Sequence, residues 1–174
     1  MDSHEVTVPD SFHTGSMSDL ESVREDIKVI KGSCNNCLDL EPEIIFHLGI
    51  PSSSPMYKKN PFLAGEAING MVAVLELARE KGARKVVFAS SSSLYNGVPT
   101  PHREDAVIPV KDYYTEPLLA IERMAELYYQ LYGLDYACGF QCRNGQSIQH
   151  QLCSRLDKFQ AGNRSEAGLQ GESY

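Results

Sequence analysis

Two groups of residues in this chain could do chemistry. One is a run of hydroxyls, Ser90-Ser91-Ser92-Ser93, which follows the apolar stretch Lys85-Val86-Val87-Phe88-Ala89 and leads to Leu94-Tyr95; the tyrosine pair Tyr113-Tyr114 then opens a long amphipathic segment. The other is the set of five cysteines, Cys34, Cys37, Cys138, Cys142 and Cys153. Cys34-x-x-Cys37 with Cys138-x3-Cys142 can be drawn as a four-thiolate zinc site, since zinc asks only for four ligands in a tetrahedron. Cys138 lies in the apolar run Tyr136 to Phe140, however, and reads more simply as a small core residue. The odd count and the polar, acidic start (MDSHEVTVPD) favour reduced thiols over a disulfide framework. No metal is expected.

The elements that must position these groups alternate in type. Val6-Thr7-Val8 reads as a strand stopped by Pro9-Asp10, where Asp10 alone would be an acidic turn residue. Ser18 and Glu21 have capping-box spacing, which predicts a short helix over Asp19 to Asp26. Ile27 to Lys31 and the continuous apolar run Ile44 to Leu48 read as strands, the second suited to the inside of a parallel sheet. His47 within it reads as structural, and Ser52-Ser53-Ser54-Pro55 as a plain loop. A long helix is predicted from Pro61 to Lys81, with Leu63, Ala67, Met71, Val74 and Ala78 on one face and Gly82 closing it. Lys85 to Ala89 is the next strand. A second helix, Tyr114 to Tyr132, carries Ile121, Met124, Tyr128, Leu131 and Tyr132, and Tyr136 to Phe140 ends the series. Strands alternating with helices imply a parallel α/β sheet.

Composition narrows the field. The chain has 174 residues, 42% of them hydrophobic, enough for one ordinary domain with its own core. A net charge of −7 argues against nucleic acid, and no apolar run is long enough to span a membrane. A cytoplasmic protein is the expectation. Beyond Gln141 the chain is rich in Gln, Ser, Gly and Asn, and its last dozen residues are expected to be disordered.

The Ser90–Tyr95 stretch after a buried strand, with Asp112-Tyr113-Tyr114 opening the next helix, resembles the extended short-chain dehydrogenase/reductase family. Within it the similarity is to the NAD-dependent nucleotide-sugar epimerases and dehydratases of the UDP-glucose 4-epimerase type. It covers about Val6 to Phe140 and is closest from Phe46 to Tyr136. The resemblance implies that Ser91 binds the sugar hydroxyl and Tyr114 is the catalytic tyrosine, with Ser93 and Asn144 on the substrate side. It implies NAD as cofactor, Asp10 on the adenosine ribose with Thr14-Gly15 continuing that pattern, and Ser33-Cys34 at the adenine. Leu48-Gly49-Ile50 matches the loop under the cofactor, and Asn69 a position near the nicotinamide. The family places a lysine four residues after its tyrosine, because a phenol with a pKa near ~10 needs a nearby positive charge to act as a base. Here that residue is Leu118.

The family pattern is also cut at both ends. No Gly-x-Gly-x-x-Gly turn occurs, so the first strand, with the helix N-terminus that seats a pyrophosphate, is missing from the match. The expected fold is an incomplete Rossmann-like parallel sheet with flanking helices: residues 1–140 a partial NAD-binding-type domain, residues 141–174 a remnant of the substrate segment. Its missing strand is central, which leaves either a closed-up sheet or two open edges. The expected function is a divergent or truncated NAD-dependent nucleotide-sugar epimerase/dehydratase, weakly active or inactive alone, with UDP-glucose as the type of substrate. The alternative is a non-catalytic interaction protein that keeps the scaffold and pairs through its two long helices, as a homo-oligomer or a mixed dimer with a full-length relative.

Overall fold

A computed structural model of the chain describes residues 4–33, 39–102, 106–109 and 112–140. Five strands form two separate parallel sheets. β1 (Val6–Asp10) pairs with β2 (Ile27–Lys31), and β3 (Ile44–His47), β4 (Lys85–Ser90) and β5 (Asp135–Phe140) form a three-stranded sheet in that order. In the doubly wound fold the spatial order is 3-2-1-4-5-6. β2 and β1 take positions 3 and 2, while β3, β4 and β5 take positions 4, 5 and 6. None of the described residues fills position 1. Among the described residues β1 and β3 do not pair with each other, and each pairs with a strand on one side only.

The β1 edge can be read in detail. The Asp10 carbonyl accepts from Gly32 N–H at 2.9 Å, so Asp10 turns its backbone groups toward β2. By the two-residue alternation of a strand, Thr7 and Pro9 turn theirs toward the empty position, where Pro9 has a carbonyl and no N–H to offer.

Three helices complete the described architecture: α1 (Ser54–Lys59), α2 (Phe62–Lys81) and α3 (Thr115–Tyr132). α2 and α3 end at Gly82 and Gly133, both at φ 69°, the left-handed conformation that a glycine adopts without a Cβ penalty. Both crossovers step the same way along the sheet, so right-handed connections put both helices on one face. There Ala67, Met71, Val74, Leu75 and Ala78 of α2 and Ile121 and Ala125 of α3 close over Val86, Phe88 and Cys138, with Ile45 packed alongside. The Cys138 thiol is therefore a core group, as read from the sequence; Cys34, Cys37, Cys142 and Cys153 lie outside the described residues. On the opposite face no described helix covers β3, and Ile44 and Phe46 are 46% and 66% exposed.

Several local expectations are corrected. The predicted helix over Asp19–Asp26 is a 3-10 helix, Met17–Val23, and its capping box is Ser16 with Asp19 rather than Ser18 with Glu21. This segment buries no residue, so packing gives it no reason to adopt the α form. The supposed loop around Ser54-Pro55 is α1, with Pro55 in its first turn. A further 3-10 helix, Ser92–Tyr95, follows β4. Leu131 and Tyr132, assigned to the packed face of α3, are 68% and 56% exposed; Leu118 takes a place on the buried face. Among the described residues no helix is long and apolar enough to cross a membrane.

The phase of the two helices is open to direct measurement. Met71→Ala, which empties a fully buried site, should cost about 2–5 kcal/mol in urea unfolding. Leu131→Ala should change stability by less than about 0.5 kcal/mol.

Candidate active site

The hydroxyl-bearing residues gather at the carboxyl-terminal edge of the three-stranded sheet, where a wound sheet places its ligands. β4 ends at Ser90, and the chain turns at Ser91 into the Ser92–Tyr95 3-10 helix, anchored by buried Leu94. Ser91 Oγ accepts from Ser93 N–H at 3.2 Å, which fixes the side chain and leaves its own proton available to a ligand oxygen. Tyr95 stacks on His102 with ring centroids 5.0 Å apart. The 3-10 helix packs against α3, which brings this turn and the helix that Tyr114 opens into one neighbourhood.

The start of α3 is built around Asp112. Its Oδ1 accepts from Tyr114 N–H at 3.0 Å, Thr115 N–H at 2.9 Å and Thr115 Oγ1 at 3.1 Å, while Oδ2 accepts from Ser54 Oγ at 3.1 Å. One carboxylate therefore satisfies two of the orphan donors of α3 and ties them to α1. Burial alone would raise its pKa, but the hydrogen bonds from Thr115, Ser54 and Tyr114 hold it below the usual carboxylate value. The ring of Tyr114 lies against that of Tyr57, 5.6 Å between centroids. Tyr57 is wholly buried in α1, and burial together with the Tyr114 hydroxyl pushes its pKa up to about 12. It is a neutral support for the Tyr114 ring and not a second base.

Tyr114, Leu118 and Glu122 follow one another at four-residue steps along α3. Leu118 is 3% exposed, so the position one turn beyond the phenol is apolar and closed to water. Glu122, one turn further, accepts from Ser90 Oγ and clamps the end of β4 to the helix. Burial raises its pKa, and the bond from Ser90 offsets only part of that. The sequence reading missed Glu122 and Tyr57, and took Ser54 as part of a loop that the family resemblance would turn to the substrate side. For Glu122 the only signal was its spacing from Tyr114, because an acidic residue in a helix reads first as a solvent face.

The remaining candidates are scattered. Asp10 ends β1 in the other sheet, and its Oδ1 accepts from Phe12 N–H at 2.6 Å, holding Phe12 at φ 54°. Phe12, Ser16, Arg24, Ile27, Val29 and Lys31 border a concavity of about 630 Å³ beside it. Ser33 is exposed just past β2, Leu48 and Gly49 are exposed past β3, and Asn69 is exposed on α2. Cys34 and Asn144 lie outside the described residues. His47 is 4% exposed, with Nε2 unpartnered among the described residues; burial lowers its pKa to about 4, leaving a neutral core imidazole.

A wound parallel sheet with a serine turn after one strand and a tyrosine opening the next helix defines the extended short-chain dehydrogenase/reductase class. The profile of the NAD dependent epimerase/dehydratase family matches residues 2–144, and the chain belongs to that family. Among its relatives, UDP-glucuronic acid decarboxylase 1 of Danio rerio is 38% identical over 109 residues, 60% of this chain and 25% of that protein. UDP-glucose 4-epimerase of Mycolicibacterium smegmatis is 30% identical over 145 residues, 77% of this chain and 46% of that protein. In the fold, UDP-N-acetylglucosamine 4-epimerase of Methanobrevibacter ruminantium superposes with a TM-score of 0.72 at 23% identity, over 77% of this chain and 46% of the other. The chain thus spans less than half the length of these relatives.

Two substitutions probe the frame of the site. Asp112→Ala should cost about 1–2 kcal/mol through the lost cap, and the difference from the parent should vanish in acid. The sign follows from the depressed carboxyl: its contribution is present above the unfolded pKa and is lost as pH falls through the folded one. Glu122 behaves oppositely. Its raised pKa means stability falls as pH rises from the unfolded value to the folded one, so Glu122→Gln should flatten that part of the profile and raise the melting temperature at pH 7.

Proposed function

We propose that this chain is a nucleotide-sugar epimerase/dehydratase scaffold that retains the family's Ser91–Tyr114 hydroxyl pair and its Asp10 ribose contact but is weakly active or inactive by itself. Leu118 carries this reading. In the proposed chemistry Ser91 Oγ–H orients a sugar hydroxyl and Tyr114 removes its proton. A phenol can do so near neutral pH only if something stabilises its anion, and the position one turn along offers a buried isobutyl group in place of a cation. Each pKa unit of lost phenolate stabilisation costs ~1.4 kcal/mol, about tenfold in the fraction of active base.

The described residues fit one end of NAD and not its middle. Asp10, exposed at the end of β1, suits the ribose hydroxyls, and the adjoining concavity could take the adenine. The phosphates require a strand-to-helix turn at position 1 of the sheet, and no described residue stands there. The relatives' names cover both epimerases and a decarboxylase, so 4-epimerisation of a UDP-sugar is proposed only as the closest type of reaction. The end of α3 supports a second reading, a non-catalytic pairing surface. Leu127, Leu131 and Tyr132 are exposed there, with the Arg79 guanidinium 5.4 Å from the Tyr132 ring centre.

Calorimetric titration of the purified chain should detect no NAD binding in the micromolar range, and mass analysis should find no stoichiometric NAD carried through purification. Any epimerase activity on UDP-glucose should disappear in Tyr114→Phe. In Leu118→Lys that activity should rise, with the basic limb of its pH profile shifted down. Tight NAD binding, or activity indifferent to Tyr114, would remove the reading.

A further inference from the structure

Among the described residues, two buried side-chain polar atoms have no hydrogen-bond partner, His47 Nε2 and Tyr57 Oη. His47 is a core imidazole that burial holds neutral. Tyr57 differs in its neighbour: its ring meets that of Tyr114, 5.6 Å between centroids and tilted by 53°. A phenol taken out of water normally finds a partner, and one left without is destabilising. The fold nevertheless holds this one beside Tyr114. Ser54 Oγ of α1 donates to Asp112 Oδ2 at 3.1 Å, while Oδ1 of the same carboxylate accepts from Tyr114 N–H at 3.0 Å. One side chain thus ties together the backbones that carry the two rings.

We propose that Tyr57 is a positioning residue whose hydroxyl stabilises the Tyr114 phenolate, replacing in part the cation that position 118 does not supply. The inference rests on the reading of Tyr114 as the base. A hydroxyl proton turns about its C–O bond, so a donor without a partner beside Tyr114 is free to aim at negative charge that develops there. A donor aimed at the charged form favours that form, and a buried surrounding strengthens the effect. The other groups nearby offer less. Asp112 is an anion and opposes the phenolate, and Leu118 is apolar. Glu122, two turns along α3, is held toward its neutral form by burial. Lys58 and Lys59, which follow Tyr57 on α1, and Tyr113 are exposed to solvent. Tyr57 keeps its own proton while Tyr114 gives one up, because burial and then the Tyr114 charge push the Tyr57 pKa up to about 12. A neutral donor stabilises an anion less than a full positive charge does, which suits a weak base and not a fully equipped one.

Fluorotyrosine placed at position 114 of the whole chain reports that phenol alone by fluorine NMR, with no substrate or cofactor present. In Tyr57→Phe, which keeps the ring and loses the hydroxyl, the ionisation midpoint at position 114 should rise by about one unit. The melting temperature should hold or rise, since the hydroxyl removed has no partner in the neutral site. Tyr128→Phe removes a different phenol hydroxyl, one bound to Glu76, and should leave the midpoint where it was. An unmoved midpoint in Tyr57→Phe, an equal rise in Tyr128→Phe, or a rise that comes only with a lowered melting temperature would overturn the inference. Assays on UDP-glucose separate it from the functional reading. A shifted midpoint without epimerase activity upholds the inference and counts against the functional reading alone. Activity that needs Tyr114 while the midpoint stays unmoved does the reverse.

Discussion

A strand inside a parallel sheet turns alternate backbone groups to its two neighbours, and every group left unpaired must meet water or another chain. Among the described residues β1 and β3 each pair with a strand on one side only. The consequences reach well beyond the two edges. The vacant position is where the fold would bring a helix N-terminus to the cofactor phosphates, and where its helix would cover the second face of the sheet. Among the described residues the sheet is divided at that position, and Ile44 and Phe46 stay exposed.

The half of the fold that stands is held by α2 and α3. Their shared face encloses Val86, Phe88 and Cys138, and the pair is tied at its outer rim by Tyr128 Oη donating to Glu76, which also binds Arg79. At the carboxyl-terminal edge of the sheet the ties are polar: Asp112 joins α1 to α3, and Ser90 joins β4 to α3 through Glu122. Each tie links elements distant in sequence but meeting at the carboxyl edge of the sheet. The geometry around Tyr114 is therefore maintained by groups that survive whether or not the residue at 118 is a cation.

Much of this was legible in the chain. Continuous apolar runs marked β3 and β4 because strands covered by helices need no polar alternation, and Gly82 and Gly133 marked the helix ends through the left-handed conformation they adopt. The missing glycine turn announced the vacant position. Other features were hidden because they depend on tertiary contact. Ser54-Pro55 reads as a loop until Asp112 and Tyr114 give α1 something to hold, and Glu122 reads as surface until Ser90 meets it. Leu131 and Tyr132 follow the apolar period of α3 faithfully but stay exposed. Periodicity reports a face, not what stands opposite.

Leu118 and Pro9 share one physical feature. A lysine at position 118 would have to carry its charge on a buried helix face, a cost that a catalytic site offsets by pairing the ammonium with a phenolate and a bound ligand. Leu118 places an apolar side chain there, which packs on the buried face without needing such a partner. Pro9 acts on the other sheet in a related way. Inside a continuous sheet it would forfeit a ladder bond, whereas on an open edge it removes a donor that could recruit unwanted strands. Both act by the same physical route, setting a group that needs no partner where a polar one would need it.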